Sequence, residues 1–127
     1  MKNVILAAVV IFLGGLLVSC GKTQEVTKEM NGQTISVKAG DSFTLTLAGN
    51  PTTGYVWELS ELDQTFVSLT GDPDYRADSN LTGAGGVYTY KFNALKAGTT
   101  TLKLIYRRPW EKDISPLETF KVTVEVK

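Results

Sequence analysis

The 127-residue sequence contains no histidine and a single cysteine. Without histidine the chain lacks the usual general base at neutral pH, the Ser-His-Asp and Cys-His arrangements of nucleophilic catalysis, and the commonest metal ligand. One cysteine, Cys20, leaves nothing to pair in a disulfide and no thiol cluster for a metal. An excess of either charge is also missing, since 13 basic residues stand against 13 acidic ones. That balance provides no basic face for nucleic acid and no polybasic patch for a membrane surface. Asp72, Asp74 and Asp78 are the nearest thing to an acidic cluster, but their spacing matches no EF-hand, and Pro73 and Tyr75 interrupt them. A solvated, turn-forming loop is the plainer reading. Finally, no window carries a helical period or a helix cap. These absences describe a binder rather than an enzyme, with no metal site marked out.

The first twenty residues, MKNVILAAVVIFLGGLLVSC, place one Lys2 ahead of an apolar run from Val4 to Val18. This is the layout of a secretory signal peptide, and it is short for a membrane span. The ending LVSC resembles the lipobox of bacterial lipoproteins. That resemblance implies removal of residues 1–19 and acylation of Cys20 by a diacylglycerol, with palmitate as a typical chain. The alternative is an uncleaved single-pass anchor with an incidental cysteine. In either case the domain is expected outside the cytoplasmic membrane. Gly21 is not the aspartate that favours inner-membrane retention, which favours an outer-membrane or periplasm-facing location in the cell envelope. Without Lys2 the mature chain has 12 basic and 13 acidic residues. Residues 20–30, with the polar GKTQEVTK, read as the lipidated cysteine and a short tether, and 31–127 as one domain large enough for one core.

Period-two alternation dominates after Asn31. Ile35 and Val37 alternate in one run, Phe43, Leu45 and Leu47 in the next, then Tyr55, Trp57 and Leu59. A short run follows at 66–69. Three more pair Tyr88, Tyr90 and Phe92; Leu102, Leu104 and Tyr106; and Phe120, Val122, Val124 and Val126. β-Branched and aromatic residues fill these runs, and turn signals recur at short spacing. About seven short strands with one apolar face each predict an all-β fold, an immunoglobulin-like antiparallel β-sandwich. Trp57 fits an inward-packed tryptophan of the core. Lys121, Glu125 and Lys127 suit a solvated or edge strand at the end of the chain.

Three breaks between strands differ from ordinary surface turns. In Asn50, Pro51, Thr52, Thr53, Gly54 and Tyr55, the proline fixes φ, the glycine permits positive φ, and the asparagine can bond nearby backbone. The expected result is a stiff, narrow, uncharged tip. Gly83, Ala84, Gly85 and Gly86 expose backbone that can bond another chain at close approach. Arg108, Pro109 and Trp110 combine a rigid turn with two residue types common among interface hot spots. Each segment has a bland reading: a hairpin turn, a common glycine-rich loop, and a tryptophan folded back on the core. In an antiparallel sandwich every second connection falls at the same end. Two strand passes separate the first segment from the second, and two more separate the second from the third, so all three can meet at one end. One missed strand would break that parity.

In this order, NPTTGY, GAGG and RPW resemble the chagasin-type inhibitors of papain-like cysteine proteases, over essentially the whole of residues 33–126. The resemblance implies an immunoglobulin-like fold and a reversible, tight-binding, competitive inhibitor that needs no cofactor, and a monomer is expected. It places the tip of 52–54 over the protease's catalytic cysteine and histidine, 83–86 along one side of the cleft, and Trp110 on the other. Two rivals differ in class. One is an envelope-anchored sandwich that binds a glycan, an adhesion partner or an assembly subunit. The other is an enzyme with acidic catalytic residues.

Overall fold

The computed structural model describes residues 23–127, and the leader, Cys20 and Gly21 lie outside the described residues. Nine strands form two sheets: β1 (Thr23–Val26), β2 (Thr34–Val37), β3 (Ser42–Gly49), β4 (Val56–Glu61), β5 (Val67–Leu69), β6 (Asp74–Ala77), β7 (Gly86–Ala94), β8 (Gly98–Arg107) and β9 (Glu118–Val126). One sheet runs β1-β3-β7-β5, with β6 also paired to β7, and the other runs β2-β9-β8-β4. The only other regular elements among the described residues are two three-residue 3₁₀ turns, Lys28–Met30 and Pro51–Thr53.

The alternating runs fold as their period requires. Phe43, Leu45 and Leu47 of β3 face Leu102, Leu104, Phe120, Val122 and Val124 of the other sheet in one core, where all are nearly solvent-free. The polar residues between them turn outward. Phe43 and Phe92, opposite each other across β3 and β7, stack at 5.0 Å between ring centroids. Trp57 packs inward at 7% exposure and donates its indole N–H to the Ala48 carbonyl at 3.0 Å. Tyr90 lies below it and donates its hydroxyl to the Trp57 carbonyl at 2.9 Å. Burial, then the neighbouring Tyr88, pushes the Tyr90 phenol far above its ordinary range, so the proton in that bond stays in place.

Several expectations need correction. The described residues form nine strands where about seven were expected, because β1 and β6 carry no alternation that could reveal them. In β1 only Val26 is buried, and in β6 only Tyr75 is partly buried. The segment read as a tether therefore starts the fold at Thr23, and Val26 is fully enclosed in the core. Asp74 belongs to a strand rather than to a turn-forming loop, and no metal-binding group of acidic residues occurs among the described residues. The sandwich is not wholly antiparallel, since β1 pairs with β3 and β2 with β9 in parallel. β9 is not an edge strand: it lies between β2 and β8. Its charged residues mark the solvated face of the sheet, which an inner strand of a two-layer sandwich also has.

The extra strand β6 leaves the end-to-end parity intact. β5 pairs with residues 92–94 of β7 and β6 with residues 86–89, both antiparallel. They are two segments of one pass along the same edge, interrupted at residues 70–73. Gly71, with φ of 65°, makes that interruption possible. The chain therefore still reverses twice between the first break and the second.

Candidate functional site

The three breaks meet at one end of the sandwich. The first follows β3 directly. Asn50 caps the 3₁₀ turn Pro51–Thr53, accepting on Oδ1 from the Thr52 N–H at 3.1 Å and from the Thr52 hydroxyl at 2.6 Å. Its carbonyl accepts from the Thr53 hydroxyl at 2.6 Å and the Thr53 N–H at 3.2 Å. Pro51 occupies the first turn, where its missing N–H costs nothing. Gly54 ends the turn in the left-handed region, with φ of 85°. Thr52 and Thr53 remain exposed at the tip.

Asn50 also reaches beyond its own loop. Its side-chain amide donates to the Gly83 carbonyl at 3.0 Å, joining the first segment to the second. Its backbone N–H donates to the Tyr106 hydroxyl at 2.8 Å, joining both to β8. Arg108 completes the connection: its Nε donates to the Thr53 carbonyl at 3.1 Å. The Arg108 guanidinium lies 4.6 Å from the centroid of the Tyr55 ring, an arrangement worth about 0.5–1 kcal/mol at an exposed site. Tyr55 packs in turn on Tyr106, and Tyr106 on Trp57, at 5.3 and 4.9 Å between centroids. A continuous stack thus leads from the buried core to the third loop.

Trp110 is not folded into the core. It is 68% exposed, and the edge of its indole leans on Gly54. A Cβ on Gly54 would stand 2.5 Å from the Trp110 ring, so the glycine serves both the turn and this close approach. The loop that carries Trp110 is closed by backbone bonds from Glu111 N to the Arg108 carbonyl at 2.9 Å and from Leu117 N to the Tyr106 carbonyl at 2.9 Å.

The glycines of the second segment have separate roles. Gly86 is buried between β3 and β6, where a Cβ would collide with the backbone of Arg76 and Ala77. It is a packing glycine. Gly83 and Gly85 use their carbonyls inside the protein, accepting from Asn50 and from the Asp78 N–H. The Gly85 N–H and the Ala84 carbonyl take no partner among the described residues. The backbone left for another chain is therefore narrower than four glycine-rich residues suggest.

The electrostatics of this end are quiet. Arg107 bonds Glu58 at 2.9 Å, and Arg108 meets Glu111 at 3.4 Å. Arg107 and Arg108 are thus each paired locally, while Lys112 and Asp113 farther along the loop are exposed. The tip carries two threonine hydroxyls and backbone groups and no charge, so the arrangement can bind by shape and backbone contact.

The structure brings together all three segments singled out from the sequence. Sequence reasoning missed Tyr106, which looked like an ordinary core position of β8 and in fact holds the Asn50 backbone. It also missed Leu81, 77% exposed beside the second segment. A lone leucine within the polar SNLTG was the available signal.

Comparison with known proteins agrees with this geometry. Residues 36–124 match the model of the chagasin family, peptidase inhibitor I42. The chain belongs to the chagasin family of peptidase inhibitors. It is 33% identical to chagasin of Trypanosoma cruzi over 104 residues, covering 79% of this chain and 94% of that protein. It is also 33% identical to amoebiasin-1 of Entamoeba histolytica over 104 residues, covering 80% and 97%. Among solved structures it is similar to the cysteine protease inhibitor EhICP2 of Entamoeba histolytica, with a TM-score of 0.74, 30% identity and coverage of 83% of this chain and 96% of that one. The family's fold is the sandwich described above.

Asn50→Ala should separate the loops rather than only loosen one. It removes a cap worth about 1 kcal/mol and leaves the Gly83 carbonyl without its partner. The expected outcome is faster amide hydrogen exchange both at Thr52–Gly54 and at Ala84, with a small loss of stability in urea. Faster exchange confined to the first loop would show that the loops are held independently.

Proposed function

We propose that this family member is a reversible, tight-binding, competitive inhibitor of papain-like cysteine proteases, acting through a wedge formed by Asn50–Tyr55, Gly83–Gly86 and Arg108–Trp110. One observation carries the reading. Three segments distant in sequence are fastened to one another by Asn50 and Arg108, and present an uncharged tip between an exposed tryptophan and free backbone. A surface ordered before it meets its partner avoids much of the ordering cost of association.

Thr52 and Thr53 enter the cleft over the catalytic cysteine and histidine of the protease. The tip is a 3₁₀ turn whose amides and hydroxyls are bonded within the loop, so it fills the site without offering an extended, cleavable bond. The Ala84 carbonyl and the Gly85 N–H bond the protease backbone on one side of the cleft. Trp110 is the anchor on the other side, held at a fixed angle by Gly54. Neither a cofactor nor a metal takes part.

The protein works at a membrane. Cleavage of the leader leaves Cys20 to carry the lipid, three residues ahead of Thr23. β1 runs parallel to β3 with Thr23 beside Ser42, so the described chain begins at the end of the sandwich remote from Asn50, and a lipid on Cys20 would hold it by that end. The eight residues of β3 then separate the two ends by about 26 Å, at about 3.3 Å per residue. The inhibitory loops point away from the lipid surface to which the protein is tied, in the outer membrane or facing the periplasm.

Titration of papain with soluble protein spanning residues 21–127 should give stoichiometric and reversible loss of activity. Trp110→Ala should raise the inhibition constant by the equivalent of about 2 kcal/mol or more with little change in melting temperature. An unchanged constant would remove Trp110 as the anchor. A folded protein that inhibits neither papain nor a cathepsin-like panel would favour an envelope-anchored module for a different partner. For the anchor, labelled palmitate should enter the full chain expressed in a bacterium and not its Cys20→Ala variant; equal labelling of both would refute lipidation at Cys20.

A further inference from the structure

Among the described residues five large apolar side chains are strongly exposed, and three of them fall within 110–117: Trp110 at 68%, Ile114 at 58% and Leu117 at 62%. Single exposed apolar residues need no explanation, but a group of them on one loop does. Trp110 is accounted for as an anchor. Ile114 and Leu117 are not, and the chagasin-like motifs do not include them.

Both side chains border a cleft of about 240 Å³, lined also by Pro116, Tyr55, Arg108 and Glu111. That is below the range of about 300–1,000 Å³ typical of small-molecule sites, and has room for roughly one large side chain. The cleft does not ask for a charge. Arg108 is matched by Glu111, and Arg107, which also lines it, by Glu58. What remains unmatched is apolar surface. The loop is built in advance, through backbone bonds from Glu111 N to Arg108 O, Ile114 N to Glu111 O and Leu117 N to Tyr106 O. The cleft is also continuous with the wedge, because Tyr55 and Arg108 belong to both.

We infer that the cleft beside Ile114 and Leu117 receives an apolar side chain from the rim of the bound protease, outside its catalytic groove, and so sets which proteases are held longest. The inference rests on the inhibitor reading above, since the wedge is what brings the rim to this surface. A rim side chain can differ from one protease to the next, and such contacts act chiefly on the dissociation rate.

The test is Ile114→Ser combined with Leu117→Ser, compared with the unaltered protein against papain and three other papain-like proteases. Both positions are exposed, so the melting temperature should not change. The unaltered protein should inhibit stoichiometrically. The double variant should still inhibit, but should dissociate at least fivefold faster from one or more of the four, by factors that differ between enzymes. A change below fivefold for every enzyme overturns the inference while the inhibitor reading stands. If the unaltered protein inhibits none of the four, both readings fall together. Sedimentation equilibrium supplies the other control: a dimer of the unaltered protein that the double variant abolishes would assign the cleft to a second copy and overturn the inference.

Discussion

The Asn50 side chain and backbone place every polar atom in a bond within the protein. Oδ1 holds the Thr52 amide and hydroxyl, the carbonyl holds Thr53, Nδ2 reaches the carbonyl of Gly83, and the backbone N–H reaches the hydroxyl of Tyr106. One residue at the end of β3 thereby fixes the shape of its own turn and its distance from two other loops. Each of these bonds is individually worth only about 1 kcal/mol. Their common origin gives them weight, because loosening Asn50 releases several contacts at once. Arg108 supplies the matching connection on the other side, with its bond to Thr53 and its position over Tyr55. The aromatic stack from Tyr55 through Tyr106 to Trp57 then transfers this rigidity to the core.

Much of the fold was legible because a half-buried strand writes itself as alternation. Phe43, Leu45 and Leu47, or Phe120 through Val126, admit hardly any other reading. The pieces that were missed bury too little to leave a pattern. Val26 is the one enclosed residue of β1, and β6 lies on an edge with only Tyr75 turned partly inward. At the loop end, composition disclosed which segments matter and not how each residue serves. Gly86 reads like its neighbours, yet it is the sheet, not a partner, that requires it. Gly54 looked like a turn former alone, and only the folded chain reveals that Trp110 rests on it. Contacts between residues about 50 positions apart, such as Asn50 with Tyr106, leave no local trace in a sequence.

The physical character of the wedge follows from what surrounds it. The two arginines beside the tip are paired within the protein, and the tip itself is uncharged, so shape, apolar area and a few backbone groups are what it offers a partner. Such a surface can enter the narrow cleft of many related enzymes. Exposed apolar side chains gather beside it, on the loop after Trp110, where area can be added without altering the tip. The sandwich carries this surface at one end and its amino-terminal strand entry at the other.

Protection of the protease's catalytic cysteine from alkylation distinguishes occlusion by the tip from binding elsewhere. Papain is mixed with increasing amounts of the protein, and incorporation of a thiol-directed alkylating reagent at the catalytic cysteine is followed by mass spectrometry. Labelling should stop at one equivalent, the inhibitor should be recovered uncleaved, and labelling should resume once it is removed. Labelling at the full rate in a demonstrably bound complex would rule out occlusion by the tip and place the binding surface elsewhere on the protease.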